Sequence, residues 1–530
     1  MSDRRFFSIV LIGALIVGAM PFLLGRTLAP TGTEFFGNKA IAPADYSVYY
    51  SYITQGAQGK VIMYDAFTSE SHAATIFQPV WFIVGLLARL FHLSVPLSFA
   101  LARFCSIPLF VWVLWWAVRW LWPDNRQHQR IGLISSLAVS GLGGIATIIG
   151  PRLADFPWTY PDLWVSETFS VLTLWSSAHF LLVSSGIVFV LVAIERSTME
   201  RTRALPWRAA IVGAAVLAIH PFHMLTWLVL WVLSTTWRWV AGRRFPREYV
   251  LRWGLVMGMA VPVLLLYGLQ LLFDPVTIER AIQNINLTAT PLFLSIGLGL
   301  CLPLAVIGAW RWKTKDDRWR FLVLLLVAYS LVAYLPVPFQ RRLTQGMILP
   351  FVLLSVPMFI RFLAVFQTRR MRVFIGSTLV LFLSSSWMYI GAIMVRDYAR
   401  DIKNPIRMYY IDSDHQQLAT FVRTTDPHQP LLASLIESNV LAGQTAHQVF
   451  VGYGVETWDF DSKLNLMDDF YSRMTETEQR ELLQREQLCY VLTSPRTRAK
   501  GDAFQPDRWS DIREVWSGGA LRLYQTPYCR

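Results

Sequence analysis

Two adjacent arginines are the residues whose type and position in this sequence most clearly indicate chemistry. Gln340-Arg341-Arg342 lies in a short loop between two apolar runs. A guanidinium group can pair with a phosphate through two parallel hydrogen bonds, so the two arginines could hold a lipid phosphate. Arg103, near the end of an earlier apolar run, could contribute to the same site. The alternative is that these arginines form ion pairs with Asp155, Glu167 or phospholipid headgroups.

An aspartate opens a tyrosine-rich segment near the N-terminus. Asp45 precedes Tyr46, Tyr49, Tyr50 and Ile53, which recur at helical spacing. We therefore expect an amphipathic helix that lies in the membrane interface with its tyrosines at headgroup level. The carboxylate of Asp45 could accept the proton of an acceptor hydroxyl. It could equally serve only to complement the helix dipole.

A second group of acids lies in one later loop and consists of Asp155, Asp162 and Glu167, with aromatic residues between them. If two of these carboxylates converge on Asp45, they could bind a divalent cation such as Mg²⁺ or Mn²⁺, or position a sugar. The alternative is that they are solvated loop acids.

Three histidines are expected at a similar depth in the membrane. They are His179 and the pair in His220-Pro221-Phe222-His223, and with Gln340 they could contact the substrate. Two histidines three residues apart can share one face of a helix, but Pro221 interrupts this segment. The pattern therefore gives little support to a metal site.

The elements that must position these residues are membrane-spanning helices. Hydrophobic residues make up 54% of the 530 residues and charged residues 16%, and the mean hydropathy is +0.40. This composition excludes a soluble enzyme and a disordered chain. Although the net charge is +13, the basic residues lie at the ends of apolar runs, so we expect no nucleic-acid partner. Eleven runs are near the length that crosses a bilayer: Phe6–Gly25, Val95–Trp120, Ile131–Gly150, Val171–Ile194, Trp207–His220, Phe222–Val240, Tyr249–Phe273, Leu292–Trp310, Trp319–Leu335, Thr344–Phe366 and Val373–Val395.

The basic residues also predict the topology. If Gln78–His92 is a juxtamembrane or re-entrant segment, most arginines and lysines fall in the inner loops, as the positive-inside rule expects. The N-terminus then lies inside, and the C-terminus lies outside with the loops that carry the acids and the paired arginines.

The sequence divides into two predicted domains. Residues 1–395 form the transmembrane domain, with a first outer loop over 26–77 and the juxtamembrane segment over 78–92. Residues 396–530 form a polar α/β domain, in which Glu514–Tyr524 predicts a hairpin around Gly518-Gly519. Of the four cysteines, only Cys489 and Cys529 could plausibly pair.

Absent patterns narrow the function. None of the predicted spans has an Asp or Glu near its middle, where ion-coupled transporters carry their coupling carboxylates. The sequence has no Walker motif, no Gly-x-Ser-x-Gly and no His-Glu-x-x-His. Ion pumps, ATPases and soluble-type hydrolases therefore have no support.

The layout resembles the GT-C superfamily of integral membrane glycosyltransferases, which includes protein O-mannosyltransferases, aminoarabinose transferases and oligosaccharyltransferases. The resemblance implies a polyprenyl-phosphate-linked sugar donor, inverting transfer and an active site at the outer face. Asp45 matches the first-loop base of such enzymes, and Asp155 or Glu167 matches the second-loop acid. Arg341 and Arg342 resemble the residues that hold the donor phosphate.

Two departures from the family pattern limit what the resemblance implies. The second loop lacks two acids separated by one residue, which argues against a bound metal. Glu456-Thr457-Trp458-Asp459 is not the Trp-Trp-Asp signature of oligosaccharyltransferases, so we do not expect transfer to asparagine sequons. Gly452-Tyr453-Gly454 could form an acceptor-facing loop or a structural turn.

The sequence thus predicts a transferase that moves a sugar from a polyprenyl-phosphate donor to a lipid, glycan or protein acceptor. The expected location is a bacterial inner membrane. The alternatives are a flippase or transporter for lipid-linked sugars and a lipid-binding membrane assembly protein. A transporter would move lipid without turnover, and an assembly protein would depend on residues 396–530 but not on Asp45.

Overall fold

The structure is a computed structural model, and it describes residues 2–37, 43–150, 159–202, 204–310, 316–401 and 409–529. Most of these residues are helical. The helices in chain order are α1 Asp3–Thr27, α2 Pro43–Ala57, α3 Pro79–Leu90, α4 Val95–Leu121, α5 Arg126–Ala138, α6 Gly143–Ile149, α7 Ser170–Trp175, α8 Ala178–Met199, α9 Trp207–Ile219, α10 His223–Gly242, α11 Arg247–Phe273, α12 Pro275–Gln283, α13 Pro291–Leu298, α14 Cys301–Trp310, α15 Asp317–Val332, α16 Ile348–Ala364, α17 Arg369–Asp401, α18 Ser413–Val422, α19 Leu435–Thr445, α20 Phe460–Ser472, α21 Glu476–Arg485 and α22 Pro495–Arg498.

The strands are short and form three sheets. They are β1 Thr33–Phe35, β2 Ile62–Met63, β3 Ile76–Phe77, β4 Tyr410–Asp412, β5 Leu431–Leu432, β6 Tyr490–Thr493, β7 Arg513–Gly518 and β8 Leu521–Gln525. Two antiparallel pairs, β1-β4 and β2-β3, stand beside a mixed sheet of order β5-β6-β8-β7. In that sheet β7 and β8 form a hairpin in which Gly519 has a φ of +55°. The hairpin that the sequence predicts at Gly518-Gly519 is therefore present.

Among the described residues, six helices are long and apolar enough to cross a membrane, namely α1, α4, α8, α11, the segment Gln340–Ala364 that contains α16, and α17. The number rises to eight if each of two bent helix pairs counts as one span. The protein is thus an integral membrane protein of helical type. The count of eleven spans stays a prediction, because several expected runs form shorter or interrupted helices.

Two predicted spans are broken near their middle. Ile131–Gly150 becomes α5 and α6, which meet at 50°, and Leu292–Trp310 becomes α13 and α14, which meet at 88°. Gly299, with a φ of +54°, adopts at the second break a conformation that a side chain would disfavour. The breaks meet each other, because the Leu142 amide donates to the Ile296 carbonyl at 2.9 Å. Hydropathy alone predicted continuous helices here because the apolar composition continues through each break.

The chain divides into two compact units. Unit 1 comprises Met1–Pro21, Ala102–Tyr267 and Ile285–Ile393, and unit 2 comprises Phe22–Leu101, Gly268–Asn284 and Met394–Arg530. In unit 2 the sheet β5-β6-β8-β7 packs against helices of the C-terminal region, and Cys489 and Cys529 form a disulfide. The predicted division at residue 395 stays a prediction, since unit 2 combines residues 394–530 with two earlier segments.

Helix α2 is present where the tyrosine spacing predicts it, but its surroundings differ from the expectation. Tyr46, Tyr50 and Ile53 are at most 2% exposed. Within unit 2 the helix packs against α3 and α19, and Gly85 lets α3 approach its backbone closely. Tyr46 and Tyr50 therefore contact protein rather than lipid, and their depth at headgroup level stays a prediction. Their periodic face is buried by protein, and periodicity alone does not distinguish protein from lipid as the apolar partner.

Candidate functional site

The paired arginines of unit 1 lie on a short 3-10 helix, Gln340–Thr344, between α15 and α16. The segment before α13 fixes this loop through main-chain hydrogen bonds. The Asn286 amide donates to the Pro338 carbonyl at 2.6 Å, and the Arg341 amide donates to the Asn286 carbonyl at 2.9 Å. The arginines are thus presented by a loop whose backbone is anchored at both ends.

The loop is also fastened to the second acidic loop. The Gly346 amide donates to the Glu167 carbonyl at 3.0 Å, and the hydroxyls of Thr168 and Thr344 are 2.7 Å apart. Gly346 has a φ of +81°, which a residue with a side chain rarely adopts. The arginine loop and Glu167, whose ion pair was one alternative left open by the sequence, are therefore neighbours in the structure.

Several side chains contact Arg341. Its guanidinium donates to Oδ1 of Asn286, its Nε lies 3.9 Å from Oε1 of Glu167, and it stacks 4.6 Å from the ring centre of Trp164. The ion pair with Glu167 was one of the two interpretations that the sequence left open for this arginine. Its geometry is loose, which leaves capacity for a further anion.

Arg342 has different surroundings. It lies 5.8 Å from the ring centre of Phe222, and its buried Nε has no hydrogen-bond acceptor among the described residues. Within that part of the chain, no acidic side chain approaches its guanidinium to within 4 Å. A half-buried guanidinium without an anion is costly, so this position favours binding of an external anion.

Gln345 contacts two of the three predicted histidines, and the third lies beside one of them. Its Oε1 lies 2.9 Å from Nδ1 of His220 and 3.0 Å from Nε2 of His223, and the His179 and His220 rings are 5.1 Å apart. The amide of Gln345 donates in turn to the Phe180 carbonyl and the Ser184 hydroxyl. Both histidine nitrogens that face Gln345 must therefore carry protons, so they are not lone-pair donors to a metal. The histidines instead form a rigid polar layer under the arginine loop.

Asp162 is separated from this group and lies at the break between α5 and α6. It is fully buried, and its Oδ2 accepts from the Gly143 amide at 3.0 Å and from the Ser386 hydroxyl. Burial raises the pKa of Asp162 to about 7, although these two donors oppose the shift. The second-loop acids thus diverge, with Glu167 at the arginines and Asp162 at the helix break, and Asp155 lies outside the described residues.

Two further predicted site residues are engaged within the protein. Arg103 is buried in α4 and donates to the Trp175 carbonyl at 2.9 Å. The side chain of Gln340 accepts from the Thr288 amide and donates to the Leu335 carbonyl. Their roles with the donor and the substrate stay predictions.

In unit 2, Asp45 lies in the first turn of α2 and accepts a hydrogen bond from the hydroxyl of Tyr453. The pKa of Tyr453 is well above its usual value because of burial and the charge of Asp45, so Tyr453 acts as a donor at neutral pH. The Gly452-Tyr453-Gly454 loop is thus part of the surroundings of Asp45. Its role towards an acceptor stays a prediction.

A buried ionic group lies close to this loop. Arg280 of α12 approaches Oε2 of Glu456 at 2.8 Å and Oδ2 of Asp65 at 4.0 Å. Burial raises the pKa of Asp65 well above its usual value, and the charge of Glu456 adds to that shift. The guanidinium of Arg280 therefore pairs mainly with Glu456 and fixes the segment that carries Tyr453.

Within the described ranges, no group of three or more His, Cys, Asp or Glu side chains is arranged to hold a metal ion. Glu167 faces Arg341, and Oδ2 of Asp162 already accepts from an amide and a hydroxyl. These residues do not by themselves make a divalent cation site. No chemical step below is assigned to a cation.

Several residues of these sites were not found from the sequence. Gln345, Asn286 and Arg280 carry no local pattern, because each acts on partners far away in the chain. Arg280 had one usable signal, since it is a charged residue in a helix that starts directly after a long apolar run.

No protein-family model and no curated protein sequence matches this chain. Its fold, however, is shared with proteins of known structure. Apolar spans, a short loop with paired arginines and an aspartate opening α2 occur here in a chain whose fold is similar to that of solved oligosaccharyltransferase and ArnT structures.

Two solved proteins show this likeness. The oligosaccharyltransferase of Archaeoglobus fulgidus in its apo form aligns with a TM-score of 0.54 at 11% identity, over 93% of this chain and 70% of that protein. In its complex with Zn and sulfate, the same protein aligns with a TM-score of 0.53 at 12% identity, over 92% and 68%. ArnT from Cupriavidus metallidurans in the apo state aligns with a TM-score of 0.51 at 11% identity, over 99% and 98%. At identities this low, the structural likeness establishes the fold alone.

Proposed function

We propose that the protein is an inverting glycosyltransferase that moves a sugar from a polyprenyl-phosphate donor to a lipid, glycan or protein acceptor. The observation that carries the proposal is Arg342, a half-buried guanidinium without an acidic neighbour among the described residues, beside a second arginine. The GT-C fold supports the same reading, because the solved proteins with this fold include an oligosaccharyltransferase.

Two chemical roles are assigned to the predicted site residues. In unit 1, Arg341 and Arg342 bind the donor phosphate and stabilise the charge that it gains as the bond between the anomeric carbon and the phosphate oxygen breaks. In unit 2, the carboxylate of Asp45 takes the proton of the acceptor hydroxyl, whose oxygen forms the new bond to the anomeric carbon. The products are the glycosylated acceptor and polyprenyl phosphate.

Tyr453 is a positioning residue in this mechanism. Its hydroxyl donates to one oxygen of Asp45, which stabilises the charged carboxylate and fixes its rotamer.

The acceptor is not assigned to an asparagine sequon, because the Trp-Trp-Asp signature is absent from the sequence. A divalent cation stays a proposal for a cofactor, supported by the A. fulgidus structure in complex with Zn and sulfate. We place the protein in a bacterial inner membrane with its N-terminus in the cytoplasm. The Cys489–Cys529 disulfide supports an oxidising compartment for the C-terminal region.

The experiment uses the purified full chain in nanodiscs with a panel of polyprenyl-phosphate sugars. We expect release of polyprenyl phosphate from at least one donor, and the effect of EDTA on this release decides whether a cation takes part. Tight binding of the lipid phosphates without release from any donor would contradict the enzyme and favour a flippase.

A further inference from the structure

An apolar cavity of about 230 Å³ lies within unit 1 and is partly open. Helices α5, α14, α16 and α17 form its walls, mainly with aliphatic and small side chains such as Ile131, Ile134, Leu304, Val356 and Phe359. The hydroxyl of Ser355, one of its few polar groups, already donates to the Cys301 carbonyl at 2.9 Å. Such a lining suits a hydrocarbon chain better than water or a sugar.

One end of the cavity is closed by a crossing of main chains. Leu383 lines the cavity, and its carbonyl accepts from the Ser140 amide at 2.8 Å. Next to this contact, Gly141 and Gly297 are so close that a Cβ on Gly141 would lie 1.9 Å from the Gly297 carbonyl oxygen. A lipid chain cannot pass this crossing, so it must enter from the other end of the same helices.

That other end carries unpaired positive charge. Arg361 follows Phe359 near the end of α16 and lies within electrostatic range of His128 near the start of α5. Arg369 is the first residue of α17 and precedes the cavity residue Val380 by eleven residues. Eleven residues make three helical turns, so Arg369 and Val380 lie on one face of α17, about 16 Å apart. Both arginines are exposed, and no acidic side chain in the described part of the chain lies within 4 Å of either guanidinium.

We propose that this cavity binds one acyl chain of an anionic glycerophospholipid, with the lipid phosphate at Arg361 and Arg369. The depth of about 16 Å matches one leaflet, or half of the roughly 30 Å hydrocarbon core. The bound lipid comes from the leaflet at the arginine end, whereas Arg341 and Arg342 precede the opposite end of α16. The site is therefore separate from the donor-phosphate site and does not depend on the proposed function.

The test is lipid retention by the delipidated full chain, measured by native mass spectrometry with phosphatidylglycerol and phosphatidylcholine of identical chains. We expect at least about fivefold more bound phosphatidylglycerol, from one to two charge-assisted hydrogen bonds. Arg361→Gln with Arg369→Gln should remove this preference, whereas Arg208→Gln, an exposed arginine at the start of α9, should keep it. Ser135→Phe fills the cavity and should reduce retention of both lipids, whereas Ser330→Phe on the exposed face of α15 should not.

Thermal unfolding of each variant establishes that it folds. Equal retention of the two phospholipids by the wild-type protein, or unchanged retention in Ser135→Phe, would overturn the proposal. A third outcome would also overturn the proposal: the protein retains polyprenyl phosphate in preference to phosphatidylglycerol, and Ser135→Phe removes this retention. The cavity would then bind the donor lipid.

Discussion

Arg341 and Arg342 are adjacent in the sequence, but only one of them has an acidic neighbour. Arg341 approaches Glu167 at 3.9 Å and donates to Asn286, whereas Arg342 meets the ring of Phe222. Two like charges side by side on an anchored loop destabilise it unless an anion binds. The structure therefore maintains an arrangement that a phosphate would stabilise, and this is the residue-scale basis of the proposed function.

Tyr453→Phe tests how Asp45 is prepared for catalysis. The variant removes the donor that stabilises the charged carboxylate, so the acidic limb of the kcat/KM profile should move to higher pH by about one unit. A pH–rate profile of polyprenyl phosphate release measures this. Tyr471→Phe removes a buried hydroxyl that donates to main-chain carbonyls in the same unit and should leave the profile in place. An unchanged profile in Tyr453→Phe would show that Tyr453 does not position Asp45.

Asp162 predicts a pH dependence of stability. Because burial raises its pKa to about 7, the folded protein retains a proton that the unfolded chain has already lost above its usual pKa of 3.8. The stability from Asp162 is therefore greatest at low pH and falls as the pH rises from about 4 to about 7. Thermal unfolding between pH 5 and pH 8 should show this decline in the wild-type protein and less of it in Asp162→Asn. An equal decline in both would refute the assignment.

At the scale of elements, the two broken spans organise unit 1. At the break between α5 and α6, Ser386 of α17 donates to the Gly141 carbonyl at 3.2 Å and to Asp162. Breaking two helices exposes amides and carbonyls that lipid cannot satisfy. Here they satisfy one another and the side chains of Ser140 and Asp162, so the breaks are stable only as a set.

Gly141→Ala should disrupt this set. The added Cβ would lie 1.9 Å from the Gly297 carbonyl oxygen, and backbone cannot move aside as a side chain can. We expect a loss of about 2 kcal/mol or more of stability, seen as a lower thermal unfolding midpoint. Gly258→Ala in α11 meets no atom within 4 Å and should be neutral or stabilising. Equal midpoints for the two variants would contradict the packing described for the crossing.

At the scale of the whole molecule, the sequence predicts what depends on local composition. Long apolar runs predict α4 and α11 well, and alternation around Gly518-Gly519 predicts the β7-β8 hairpin, because each pattern reports burial within one segment. The helix breaks were missed because their causes are contacts with other segments. The burial of α2 was missed for the same reason.

The residues of the candidate site also differ in whether the sequence predicts them. The sequence singles out Asp45, Arg341 and Arg342 by residue type and by their unusual positions. It does not predict Tyr453 as the partner of Asp45, because 408 residues separate the two in the chain. It also does not separate Asp162 from Glu167, since only the fold shows that one is at a helix break and the other beside an arginine.

The central claim is that Arg342 binds the donor phosphate while Asp45 activates the acceptor. It is tested most directly by measuring polyprenyl phosphate binding and sugar transfer in the same preparations of wild type, Asp45→Asn and Arg342→Gln. We expect Asp45→Asn to bind polyprenyl phosphate like the wild type and to lose transfer. Arg342→Gln should bind about tenfold more weakly, since a charge-assisted hydrogen bond contributes about 1.5 kcal/mol or more. Transfer at the wild-type rate by Asp45→Asn, or unchanged binding by Arg342→Gln, would contradict the account.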